Sequence, residues 1–320
     1  MRVIRWPPEK PELHECSVAT LGVFDGVHRG HAAVIGRAVE AADERGCAAA
    51  IVTFDRHPGS VVTGRPEPAI TSLDHRLRLF EAHGADVCLV IRFTEDVAAM
   101  PAERFVRDIL WGRLNAELLV LGFDCRFGAG REGDLELCRR LGEQLGFDVE
   151  EVPPVVIEGT PVSSTAIRKA IQRGDLEHAS RLLGRPFSLY GTVVPGDGRG
   201  AKLGYPSANL DLHNETVPPT GVYATWAYTD GQPLPSVTSV GRRPTFHAER
   251  DAEVVVETHI LDFGERLYGQ DLEVQFVKRL REQRTYDDVR ALKRQMEKDV
   301  RRAKQVLEPG CTTQGRSSGE

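Results

Sequence analysis

A doubly wound α/β layer followed by a small all-β module is the architecture this sequence predicts, on three observations. Short, nearly continuous runs of Val, Ile and Leu alternate with helical patterns up to about residue 185. Beyond it Gly and Pro become frequent, and β-type runs recur between them at regular spacing. The chain then returns to helical periodicity, with Tyr286, Val289, Leu292, Met296, Val300 and Ala303 three to four residues apart.

The strand candidates of the first half are Ser17–Val23, Ala48–Phe54, Val87–Phe93 and Leu118–Gly122, with a fifth over Phe147–Ile157 that Pro153-Pro154 interrupts. They are apolar throughout rather than alternating, as buried parallel strands are. Between them Leu73, Leu77 and Phe80 keep one helical face, and so do Leu137, Leu141 and Leu145. Gly46, Gly84 and Gly146 stand where these helices would end. In the second half Phe187–Val194, Val222–Thr229, Ser236–Val240, Glu253–Leu261 and Leu272–Arg279 predict an antiparallel barrel or sandwich with the last helix packed on it. The boundary falls near Arg185-Pro186, giving units over 1–185 and 186–307. Residues 308–320, mostly Gly, Ser, Thr and charge, predict a disordered tail.

With 320 residues, 41% of them hydrophobic, the chain can build two ordinary cores. Its formal net charge of −6 argues against a general nucleic-acid binder. No apolar run is long enough to span a bilayer, and the charged, proline-containing start leaves no room for a signal-peptide core. The six cysteines form no C-x-x-C pair. They read as small hydrophobes, reduced in a cytoplasmic protein. The sequence does not fix an oligomeric state.

The densest chemistry lies at Gly22-Val23-Phe24-Asp25-Gly26-Val27-His28-Arg29-Gly30-His31. It joins the first predicted strand to a helix beginning near Ala32, where free N–H groups and the helix dipole converge on anions. Gly22, Phe24, Asp25, Gly26 and Gly30 are expected to bind the ATP phosphates there, and His28 and His31 add two donors suited to charge growing on a phosphate. His57, in Thr53-Phe54-Asp55-Arg56-His57-Pro58, would share the same sheet edge. So would Asp124, in Gly122-Phe123-Asp124-Cys125-Arg126-Phe127-Gly128. Ser163, Ser164 and Thr165 open a helical segment; they can cap it and cradle a phosphate at once, with Arg168 as a planar cation.

The second half carries Gly196-Asp197-Gly198-Arg199-Gly200-Ala201-Lys202-Leu203-Gly204-Tyr205-Pro206-Ser207-Ala208-Asn209. Gly198 and Gly204 let backbone N–H groups approach an anion, Lys202 adds a cation, and Ser207 and Asn209 offer the oxygen ligands Mg²⁺ prefers. In Glu253–Ile260, alternation puts Val255, Glu257 and His259 on one face; a partly desolvated Glu257 suits a general base, though an exposed edge Glu fits the pattern equally well.

An early G-x-F-D-G-x-H-x-G-H followed by S-S-T-x-I-R resembles the nucleotidyltransferase half of the prokaryotic bifunctional riboflavin kinase/FAD synthetase family. The second half is similar to the kinase module of that family, through Gly204-Tyr205-Pro206-Ser207-Ala208-Asn209, Pro219-Thr220-Gly221-Val222-Tyr223, Val240-Gly241-Arg242-Arg243-Pro244-Thr245, Val256-Glu257-Thr258-His259 and Leu267-Tyr268-Gly269 in order. The resemblance implies a Rossmann-like nucleotidyltransferase domain and a small antiparallel β-barrel with a terminal helix. It implies two reactions on small molecules: riboflavin and ATP give FMN, with Glu257 as base and Mg²⁺ on Ser207 and Asn209; FMN and a second ATP give FAD and pyrophosphate, with His28 and His31 at the reacting phosphate. No nucleic-acid or membrane partner is implied. Three positions depart from the family pattern: Ser207 stands for Thr, Arg56 for Pro, and Cys125 for an aromatic residue. The alternatives are a kinase whose first half only binds or regulates, and a nucleotidyltransferase for another phosphorylated substrate.

Overall fold

The computed structural model describes residues 1–7, 13, 15–59, 69–213, 216–229, 232–243 and 253–308. Residues 309–320 of the predicted tail lie outside the described residues. By internal contacts the chain forms two compact units, Met1–Ile167 with Leu182–Gly184, and Arg168–Arg181 with everything from Arg185 onward.

The first unit is a parallel sheet of six strands, β1 (Arg2–Trp6), β2 (Ser17–Leu21), β3 (Ala48–Phe54), β4 (Val87–Ile91), β5 (Ala116–Gly122) and β6 (Asp148–Val152), in the order β1-β4-β3-β2-β5-β6. Helices α1 (Arg29–Arg45), α2 (Leu73–Ala82) and α3 (Leu135–Leu145) connect them. Every residue of β2 and β4 is buried, which is why both read as unbroken apolar runs. The chain winds from β2 through β3 to β4 on one side, then returns to β5 on the other. The carboxyl ends of β2 and β5 therefore flank the switch point where ligands of such sheets bind.

Local signals explain the helix ends. His28 caps α1, its Nδ1 accepting from the His31 N–H, and Gly46 closes it in the left-handed region at φ 66°. Asp134 caps α3, and Gly146 ends it at φ 83°. Two expectations are corrected. An edge strand, β1, precedes the predicted set; Arg2 and Arg5 dilute its apolar signal. The fifth candidate breaks at Pro153-Pro154 into β6 and a short hairpin, β7 (Val156–Ile157) and β8 (Thr160–Pro161), because proline cannot donate to the ladder.

Cysteine usage is corrected as well. Cys16 and Cys47 form a disulfide, with Cα atoms 5.0 Å apart. They precede Ser17 and Ala48, paired neighbours at the starts of β2 and β3. Sequence spacing does not reveal this adjacency. Cys88, Cys125 and Cys138 are free, and burial pushes each thiol up to about 12.

Helices α4 (Ser164–Arg173) and α5 (Leu176–Leu183) follow. The second unit then closes a six-stranded antiparallel barrel in the order β10-β13-β12-β11-β14-β9. Its strands are β9 (Ser188–Val194), β10 (Ala208–Leu212), β11 (Gly221–Tyr228), β12 (Pro233–Arg243), β13 (Glu253–Ile260) and β14 (Asp271–Arg281). Alternation holds along β13: Val256, Thr258 and Ile260 are buried, leaving Val255, Glu257 and His259 on the outer face. Helix α6 (Val289–Leu307) lays Ala303 and Leu307 against Val222, Ala224 and Leu280 of the barrel. Asp299 of α6 takes the Arg281 guanidinium through both carboxylate oxygens, at 2.8–3.0 Å. No described helix is long and apolar enough to cross a membrane.

Candidate active sites

The first site is a cavity of about 600 Å³ at the carboxyl ends of β2, β3 and β5. Gly22, Phe24, His28, Gly30, His31, His57, Asp124, Ser163 and Ser164 line it, with Phe54, Phe93, Phe105 and Phe127 on its apolar wall. His28 and His31 stack with ring centroids 3.6 Å apart and planes 18° from parallel. Phe24 stands edge-on to His31 at 5.3 Å. Because His28 Nδ1 accepts from the His31 N–H at 3.3 Å, its neutral ring carries the proton on Nε2 and keeps that nitrogen as a donor.

The turn ahead of the histidines is tightly constrained. Phe24 and Val27 sit at φ 52° and 40°, the left-handed region disfavoured for side chains with a Cβ. A Cβ on Gly22 would come 2.9 Å from the Phe24 ring. Asp25 and Gly26, expected to hold phosphate, do not line the cavity. Asp25 is buried, and its carboxylate accepts the Ile70 and Thr71 N–H groups at 2.9–3.1 Å. The Gly26 N–H donates to Thr71 Oγ1 at 2.8 Å. Both residues therefore hold the turn in shape.

At the start of α4, Ser163 Oγ accepts the Ala166 N–H at 3.3 Å and Ser164 Oγ donates to the Asp25 carbonyl at 2.9 Å. The hydroxyl cluster and the histidine turn thus meet directly. Thr165 and Arg168 lie further along the helix, outside the lining, and Arg168 is buried. Arg56 also lies outside the lining, 3.6 Å from Asp55. Cys125 lines the cavity and packs against the central core.

The second constellation sits on the outer face of the barrel. Asn209 of β10 pairs directly with Glu257 of β13, which puts the two side chains on one face. Ser207 continues that face two residues earlier. Gly196 and Gly200 are required here by close approach: a Cβ would stand 2.0 Å from the Asn209 side chain at the first, and 3.2 Å from Ser207 Oγ at the second. Gly198 and Gly204 adopt φ of 65° and 87° around the helical turn Arg199–Lys202. The backbone of Lys202 is described, and its side chain lies outside the described residues. Beside this loop a second cavity, of about 510 Å³, is lined by Gly204, Tyr205, Pro206, His259 and Lys304 among others. His259 Nδ1 lies 2.6 Å from the Pro206 carbonyl. Residues 244–252, which include part of the Val240–Thr245 motif, lie outside the described residues.

Sequence reasoning missed Arg76 and Thr71, which brace the histidine turn. A signal existed for Arg76: it falls between Leu73 and Phe80 on the apolar face of α2, where a charge is out of place.

Comparison with known proteins accords with this geometry. A family model described as FAD synthetase matches residues 10–166, and one described as riboflavin kinase matches residues 183–307. The bifunctional riboflavin kinase/FMN adenylyltransferase of Bacillus subtilis strain 168 is 36% identical over 291 residues, covering 90% of this chain and 91% of that protein. That of Pseudomonas fluorescens is 38% identical over 302 residues, covering 94% and 96%. The crystal structure of a macrolide-efflux protein from Streptococcus pneumoniae has the same fold, at 30% identity and a TM-score of 0.78 over 95% of this chain and 99% of that one. With both domain models in order along one chain, and relatives matched nearly end to end, the chain belongs to the bifunctional riboflavin kinase/FMN adenylyltransferase family.

Proposed function

We propose that the chain makes FMN and then FAD at two separate sites, one in each unit. In the barrel unit the terminal hydroxyl of riboflavin attacks the γ-phosphate of ATP, Glu257 takes its proton, and the bond to the β-phosphate breaks so that ADP leaves. The glycine loop from Gly196 to Gly204, with Lys202, steadies the phosphates. The cavity beside Tyr205 and His259 takes the remainder of the nucleotide. Ser207 and Asn209, whose side chains pack against Gly200 and Gly196, offer the oxygen donors a hard cation prefers; they fit Mg²⁺ and would hold it. When bound, that ion neutralises phosphate charge.

In the α/β unit the FMN phosphate attacks the α-phosphate of a second ATP, and pyrophosphate leaves. His28, through its Nε2 proton, and His31 stabilise charge on the oxygens of the reacting phosphorus. Ser163, Ser164 and Thr165, at the N-terminus of α4, take the departing pyrophosphate. We assign Arg168, which groups with the other unit, no part in this step. The phenylalanine wall of the cavity suits the flat flavin ring. A cytoplasmic placement is part of this reading. The reading calls for no nucleic-acid or membrane partner.

The observation that carries this reading is the meeting of the stacked His28–His31 pair with the hydroxyl-capped start of α4 at the switch point of the sheet. The test is incubation of the pure protein with riboflavin, ATP and Mg²⁺, followed by separation of the flavins. FMN should appear first and FAD after it. FMN alone would leave the first unit a binding or regulatory module.

A further inference from the structure

We infer that Arg76, which does not itself line the cavity but hydrogen-bonds two residues that do, Val23 and Phe54, is a positioning residue for adenylyl transfer: it ties together the strand ends that lead to His28, His31 and His57. The inference rests on the assignment of those histidines above and adds a residue to it.

Arg76 is only 4% exposed, and both terminal nitrogens of its guanidinium are engaged at the ends of two strands. Nη1 donates to the Val23 carbonyl at 2.6 Å and to Thr53 Oγ1 at 3.1 Å. Nη2 donates to the Phe54 carbonyl at 3.0 Å. Thr53 Oγ1 in turn donates to the same Val23 carbonyl at 3.2 Å. Val23 opens the turn after β2, and Phe54 is the last residue of β3, three before His57. The parallel ladder runs out at both places, leaving carbonyl lone pairs that a single planar fork can satisfy together.

The charge is costly to bury. Desolvation lowers the Arg76 pKa from its ordinary value, and the facing carboxylates of Asp25 and Asp55 oppose that shift. An apolar side chain would fill the same space without that cost. What an apolar side chain cannot supply is a fixed distance between the two strand ends.

The turn needs such fixing. Two non-glycine residues between Val23 and His28, Phe24 and Val27, hold left-handed backbone angles, and such angles persist only where the surroundings over-determine them. One segment, residues 70–76, supplies four of the constraints: Arg76 on Val23, the Ile70 and Thr71 N–H groups on the Asp25 carboxylate, and Thr71 Oγ1 on the Gly26 N–H. Misplacing a catalytic group by about 1 Å costs on the order of 100-fold in rate.

The test uses the full chain and three variants: Arg76→Met, Arg76→Lys and Thr53→Val. FAD formation from supplied FMN, FMN formation from riboflavin, and thermal unfolding are measured for each, with kcat corrected for the folded fraction. Arg76→Met should lower kcat for FAD formation by roughly 30- to 100-fold, with KM for ATP changed less than about threefold and FMN formation unchanged. Arg76→Lys, which keeps a cationic donor, should recover kcat to within about tenfold of the unaltered protein, and Thr53→Val should lower it by about 3- to 10-fold. An unaltered kcat in Arg76→Met overturns the inference, and so does an equal loss in the Lys variant. Should the Met variant fail to fold, an unaltered kcat in Thr53→Val overturns it. If the unaltered protein forms no FAD, the site assignment itself falls and takes the inference with it.

Discussion

A Cβ on Gly30 would stand 3.1 Å from Cε1 and 3.2 Å from Nδ1 of His28. Gly30 is the second residue of α1, where alanine would otherwise be preferred by up to about 1 kcal/mol. Gly30→Ala should therefore leave the melting temperature unchanged or slightly raised while lowering FAD formation by about tenfold or more, because the ring must move. Paired melts and flavin assays check both signs; a variant of normal activity would show that the His28 orientation does not matter. At this scale the sequence was legible where position alone decides placement: His28 and His31 fall at the turn after β2, and Glu257 shares the outer face of β13 with His259. It was illegible where a role depends on a partner far along the chain. Asp25 reads as a phosphate ligand beside the histidines, but its partners Ile70 and Thr71 lie 45 and 46 residues away. Only the folded chain shows that this carboxylate braces a turn.

Elements were readable in proportion to how much of each is buried. β2 and β4, apolar at every position, were plain in the sequence, whereas β1, with Arg2 and Arg5 among its five residues, was not. The terminal helix was legible from its periodicity, but not what anchors it. Asp299 lies on the face that packs against the barrel, and its 7% side-chain exposure marks the Arg281 pair as largely desolvated. Asp299→Ala would leave that guanidinium without its counter-ion at the helix–barrel contact and should cost about 3 kcal/mol of barrel stability. Calorimetry should show the barrel's transition falling while that of the α/β unit stays in place, and FMN formation should lose thermal resistance before FAD formation does. An unshifted transition would mean that α6 is held by its apolar contacts alone.

In the first unit the cavity lies at the carboxyl ends of the parallel strands, and the Cys16–Cys47 pair lies at their starts. Replacing both cysteines with serine removes a cross-link between residues 31 apart, worth about 2–4 kcal/mol to the oxidised protein. Both activities should be unchanged, and the stability difference should vanish in reductant; loss of either activity would contradict this division of the sheet into a structural and a chemical end. The two-unit organisation was legible because strand–helix alternation gives way to Gly- and Pro-punctuated strands near residue 185. The grouping of residues 168–181 with the second unit was not, since a helix pair carries no sequence mark of which core it joins. The central claim is that each unit holds its own polyphosphate site. It is tested most directly by assaying both reactions in folded, full-length His31→Ala and Glu257→Ala. His31→Ala should phosphorylate riboflavin normally and form FAD at least about 100-fold more slowly, and Glu257→Ala should adenylylate supplied FMN normally while failing to phosphorylate riboflavin. Loss of both reactions from either single substitution would contradict the account.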